Sequence, residues 1–256
     1  MSFELSALLL TGGLFVAMLV LQEIGRRVGI HRRRQQSDEA FAGTGVVESA
    51  VFALLGLLIA FTCSGAASRF DDRRKLIVEE ANAIGTAYLR LDLLPSAAQT
   101  DLRASFRSYL DARLAGYRAL PDLAASKAEF ERAAGLQQEI WASAVAASAG
   151  SQAPTMLLLP ALNDMFDITT TRAMAAQTHP PQIIFVLLFS LALLSALLAG
   201  YAMAGAKARN WVHMITFAFT LAGAVYVIVD VEYPRFGLIR VDAFDQVLID
   251  LRQSMQ

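Results

Sequence analysis

Apolar and polar positions alternate along this chain in two distinct ways, and the change between them marks its elements. Four stretches are continuously apolar: Leu5–Ile24, Val46–Gly65, Ile183–Gly205 and Trp211–Val231. Each holds roughly the 20 residues a helix needs to cross about 30 Å of hydrocarbon. The second does not stop at its apolar end. VVESAVFALLGLLIAFTCSG runs straight on as AASRFDDRRKLIVEEANAIGTAYLR, with no proline and only Gly85 late in the charged part. That pattern predicts one helix from Val46 to Arg90, leaving a bilayer and continuing into water.

Between the second and third spans the pattern becomes amphipathic, punctuated by Pro95, Pro121, Pro154, Pro160 and the pair Pro180–Pro181. Ser96–Ala119 sets Leu102, Phe106, Tyr109, Leu110, Leu114 and Tyr117 at three- and four-residue steps, which predicts a helix. Asp122–Ala149, with Leu123, Phe130, Leu136, Ile140 and Trp141, predicts a second helix, and Met156–Met174 a third. His179-Pro-Pro ends this region. The tail, Val241–Met255, reads as one more short helix with Phe244, Val247, Leu248 and Leu251 on one face. No stretch alternates with period two, so no sheet is expected. The fold class is all-α: four transmembrane helices, with a helical soluble domain inserted between the second and third. The expected segments are 1–65 (two spans and an arginine-rich loop), 66–182 (the helical domain), 183–231 (two spans) and 232–256 (the tail).

Composition agrees with a chain that is part membrane and part wet. It is 55% hydrophobic yet 18% charged over 256 residues, too apolar for an ordinary soluble domain. A net charge of −1 supplies no field for nucleic acid. Cys63 is the single cysteine, so no intrachain disulfide is possible, and no Cys/His metal spacing occurs. The first span lacks a basic leading region and a small-residue cleavage pattern, and reads as a retained span. Charge does not orient it. Arg26, Arg27, Arg32, Arg33, Arg34, Lys207 and Arg209 flank one side, and Arg69, Arg73, Arg74, Lys75, Arg172, Arg235 and Arg240 the other.

Catalytic chemistry is missing from the sequence. There is no HExxH, GxSxG, Walker or GxGxxG motif. Asp164 and Asp167 read as a solvated helix edge. Glu79 and Glu80 diverge by roughly 100° on a helix and cannot share a proton. His213 beside Trp211 reads as an interface anchor. No cofactor, no metal and no enzymatic activity are expected. The spans carry ionisable groups only near their ends (Glu23 beside the polar Gln22, Glu48, Asp230), which argues against a proton-driven machine.

The second span has two faces. Gly56, Ala60, Ser64 and Ser68 repeat at four-residue spacing, the small-residue stripe that lets membrane helices approach closely. About 100° around lie Leu54, Leu57 and Phe61, with Leu58 alongside. Either both faces pack against other spans, or the stripe packs while the Leu/Phe face lines an axial pore. Five helices packed at about 9 Å put each helix axis roughly 7.7 Å from the centre. That leaves a hole of roughly 2.7 Å radius, whereas four helices leave about 1.4 Å.

Certain segments carry a resemblance. Leu54–Phe61 (LLGLLIAF), Ala67-Ser68-Arg69-Phe70, Arg73-Arg74-Lys75-Leu76 and Ala81-Asn82 resemble the second transmembrane helix of bestrophins. Glu232–Gly237 and Asp242–Asp245 are more loosely similar to the stretch after their last span. With LPALNDMFDITTTR and LIRVDAFDQ, the chain resembles, over nearly its whole length, the bacterial family called bestrophin-like. The resemblance implies a homo-oligomeric, pentameric channel in the bacterial inner membrane, passing small anions such as chloride. Its apolar neck would come from the second span: Phe61 matches a neck aromatic, Leu57 or Leu58 the position one turn earlier, and Leu54 or Ala53 the next. The expected neck is therefore Leu54, Leu57, Leu58 and Phe61, and the expected packing seam Gly56, Ala60 and Ser64. Partners are the bilayer, further copies of the chain and small anions. The acidic calcium clasp of animal bestrophins is not kept; Asp242 and Asp245 alone make a poor site for a hard cation. The resemblance makes the helical region cytoplasmic, which sets the arginine-rich loop outside, against the charge rule. The alternative is a sensor or scaffold whose helical domain binds a ligand or partner.

Overall fold

A computed structural model describes residues 3–35, 44–206 and 208–255. The described residues form α1 (Phe3–Gln35), α2 (Thr44–Arg90), α3 (Ser96–Ala119), α4 (Leu123–Ser148), α5 (Gln152–Gln177), α6 (Gln182–Ala202), α7 (Trp211–Glu232) and α8 (Gln246–Ser254), with short 3₁₀ turns and no strand. Four of these helices, α1, α2, α6 and α7, are long and apolar enough to cross a membrane. The expected all-α architecture is present, and α2 is a single helix of 47 residues.

The chain divides into two compact units, Met1–Ser68 with His179–Tyr233, and Arg69–Thr178 with Pro234–Gln256. In the first, α1 and α6 run in the same direction in close contact. Glycine is required at that crossing. A Cβ on Gly25 would run into the Leu197 carbonyl, and one on Gly200 into the backbone of Gln22. Leu14, Met18, Leu188, Ala192, Ala196, Ala218 and Val225 fill the core beside them. At the α7 terminus Glu232 is fully buried, with His179 Nδ1 3.0 Å from its carboxylate and the imidazole stacked on Tyr233.

In the second unit α3 and α4 form a hairpin that sets Tyr117 edge-on to Phe130. Asp122 caps α4 by accepting from the Ala124 and Ala125 amides. Phe106, Tyr109, Ile140, Leu158, Leu162 and Met165 form the core with Ile77 and Ile84 from α2, Leu91 from the 3₁₀ turn that follows it and Leu248 from α8.

Three elements differ from the sequence pattern. The helix of the first span continues past Ile24 to Gln35, where Arg26 and Arg27 pair with Glu23 and basic residues in the last turn suit the helix dipole. Pro154 and Pro160 do not break α5. Pro154 sits in the first turn, where its missing N–H costs nothing, and Pro160 lies inside a helix that continues to Gln177. The tail is not one α-helix. Asp242–Asp245 is a 3₁₀ turn preceding α8. Residues three apart eclipse in a 3₁₀ turn, which aims both aspartates at Arg235.

Candidate functional site

The site is α2 itself. In its apolar part Leu55 and Ala66 are buried and Leu58, Ile59 and Thr62 half-buried, so one arc of the helix packs inside its own unit. Leu54, Leu57 and Phe61 are 52%, 53% and 67% exposed. Gly56, Ala60 and Ser64 are exposed too, and a Cβ placed on Gly56 would meet nothing within 4 Å. At about 100° per residue these positions cover one contiguous half of the helix, small residues beside large ones. Leu58 stands apart from the other expected neck residues, turned toward the packed arc. Only 6% of the apolar stretch of α2 is buried within the chain, against 22 to 33% for the other three spans. Half of this helix is left for something outside the chain to cover.

Beyond the span, buried positions step by four and three residues: Arg73, Ile77, Glu80, Ile84, Ala87 and Leu91. This is the spacing of a packed helical seam, and two of its members are charged. Arg73 donates to the Ala175 carbonyl (3.0 Å) and the Thr178 carbonyl (2.9 Å), satisfying acceptors that the end of α5 leaves open. Glu80 is fully buried. It accepts from Arg113 Nε at 2.7 Å and from the Tyr117 hydroxyl at 3.3 Å, and is ion-paired to Arg172. One carboxylate thus ties α2 to α3 and α5.

Around Tyr117 three guanidinium groups converge, with Arg172, Arg235 and Arg113 at 4.2, 4.8 and 5.2 Å from the ring centre. Burial, opposed by Arg113 and Arg235, pushes the Tyr117 hydroxyl up to about 12. Burial first, then the neighbouring Arg235 cation, brings Arg172 down to about 9, which leaves it charged at neutral pH. For Arg235 burial disfavours the charge, but its two bonds to Asp245 outweigh that and raise its pKa. Arg235 also donates to Asp242 at 3.0 Å. A guanidinium therefore occupies the space between the two aspartates that the sequence left as a poor cation site.

Other candidates fall where a solvated or structural role puts them. Asp164 and Asp167 are exposed. Asn210 caps α7 through the His213 amide, and Arg209 lies 5.8 Å from the Trp211 ring centre. Glu80 is the residue that sequence reasoning missed. Its signal was its place seven residues after Arg73 on the seam.

Four apolar helices, one carrying an uncovered half-face and a charged extension, define an integral membrane protein. The family follows from the sequence: the Bestrophin-like domain model matches residues 12–243, and the chain belongs to that family. Among solved structures it is similar to crystal structures of a bacterial bestrophin homologue from Klebsiella pneumoniae carrying single substitutions. One such structure has 15% identity and a TM-score of 0.69, covering 94% of this chain and 98% of that one. Another has 13% identity and the same TM-score of 0.69 over the same shares, 94% and 98%. No curated protein matches the sequence.

Proposed function

We propose that this protein is a homopentameric channel for small anions such as chloride, with α2 as its pore helix. The observation that carries this reading is the uncovered half of α2. An apolar span that buries almost nothing in its own chain calls for neighbours. Its small residues (Gly56, Ala60, Ser64) suit close approach by another helix, and the adjoining Leu54, Leu57 and Phe61 then face the axis. Leu58 flanks this neck from the packed side. Membership of the Bestrophin-like family supports the same arrangement.

Such a neck carries no charge, so it selects by the cost of stripping water and closes by dewetting. Phe61 is the largest exposed side chain on that face and sets the constriction. Purified protein in planar bilayers should pass chloride, and Phe61→Ala should raise the current severalfold by widening the neck. Electrical silence of both proteins at every voltage and ion tried would overturn the reading.

A further inference from the structure

A second feature of the membrane unit lies away from the neck. Along α1, Val16, Val20, Ile24 and Val28 are all 44 to 57% exposed and follow one another at four-residue steps, a ridge of apolar side chains that the chain leaves uncovered. The next position on that ridge is Arg32, also exposed. From Leu5 to Ile24 the helix rises about 29 Å at 1.5 Å per residue, close to the thickness of a hydrocarbon core. Arg27 follows about 5 Å further on, the depth of lipid phosphates, and Arg32 and Arg34 about 12–15 Å further on, with long side chains that lean back toward the helix N-terminus and so toward the headgroups.

The sequence is one-sided in charge there. Stretches 23–39 and 207–211 hold seven basic residues (Lys207 lies outside the described residues) against Glu23, Asp38 and Glu39. Glu23 cannot neutralise the group, since Arg26, Arg27 and Arg209 all bond to this one carboxylate, at 3.0, 2.8 and 2.9 Å. At seven-residue spacing Arg27 and Arg34 share a face of α1, and both are exposed. Beside them the exposed Trp211 and Val212 start α7, with Trp211 under the Arg209 guanidinium, the pairing of an aromatic belt with a basic rim.

We infer that the α1 terminus, through Arg27, Arg32 and Arg34 with Arg209 beside them, is a binding surface for the headgroups of anionic phospholipids. A basic patch at phosphate depth, continuous with an apolar ridge, matches both halves of a lipid and no nucleic acid or soluble anion. This inference needs only that the protein spans a membrane; it stands or falls separately from conduction.

The test is native mass spectrometry of the detergent-purified full chain, titrated with phosphatidylglycerol or phosphatidylcholine. Wild type should retain the anionic lipid at least tenfold better, and the preference should shrink as salt rises. Arg27→Gln/Arg32→Gln/Arg34→Gln should lose most of it, about fivefold per arginine removed. Arg132→Gln, on α4 of the other unit, should leave it unchanged. If the triple variant fails to fold, Arg32→Gln and Arg34→Gln singly serve the same purpose. Equal retention of the two lipids by wild type, an undiminished preference in the arginine variants, or displacement of the lipid by equimolar inorganic phosphate would each overturn the inference.

Discussion

Glu80 shows how much one residue can decide. Its carboxylate is fully buried and is the shared partner of Arg113 and Arg172, each with only 8% of its side chain exposed. Removing the negative charge strands two buried guanidinium groups, and loss of one member of a buried pair costs about 3–5 kcal/mol. Glu80→Gln should therefore lower the denaturation midpoint of the detergent-solubilised protein markedly. Glu79→Gln, one position away and exposed, should barely move it. Tyr117 adds a pH dependence. Its hydroxyl has a folded-state pKa of about 12 against an unfolded value near 10. A raised pKa contributes stability that is complete below about pH 10 and is lost as pH climbs to about 12. A thermal melt series across that window should show a steeper alkaline loss for wild type than for Tyr117→Phe. Neither role was visible in the sequence, where Glu79 and Glu80 look alike. Which of two neighbours turns inward depends on the rotational phase of α2 against α3 and α5, and that phase is set by tertiary packing.

At the level of elements the sequence was more legible. The continuity of α2 followed from the absence of proline, and Ser96–Ala119 followed from three- and four-residue steps. Those signals are local, so they survive without knowledge of neighbours. The tail departed only in its first turn, where Asp242 and Asp245 bond to Arg235, a residue outside the pattern of 241–255. Small residues illustrate the same divide. Gly25 and Gly56 look equivalent in sequence, yet a Cβ at Gly25 collides with the Leu197 carbonyl while one at Gly56 meets open space. Gly25→Ala should thus push α1 and α6 apart and reduce the yield of folded protein. Gly56→Leu should leave the folded chain intact and instead break apart the assembly, seen as a shift from a large to a small species in size-exclusion chromatography. A Gly56→Leu protein that still elutes with wild type would separate the small-residue stripe from assembly.

On the scale of the whole molecule, function depends on the number of copies. Half of α2 lacks a partner in its own chain, and lipid would cover the Leu/Phe side as well as any protein. On the proposed reading the small residues favour a protein neighbour, because Gly56, Ala60 and Ser64 offer lipid tails little to pack against, whereas a second helix approaching there gains backbone contact. An interface on one side of the proposed axis-facing residues is head-to-tail, and such an interface makes a ring when its rotation closes. Ring size then fixes whether the hole conducts: four helices at about 9 Å leave roughly 1.4 Å of radius and five roughly 2.7 Å, so only the larger ring accommodates a partly hydrated halide. Light scattering of the purified protein, corrected for detergent, should give five times the mass of the single chain, and particle images should show five-fold symmetry. A monomer or dimer would remove the axis that Leu54, Leu57 and Phe61 are proposed to face and leave the helical unit as a sensor or scaffold. A tetramer would keep the ring but close the neck.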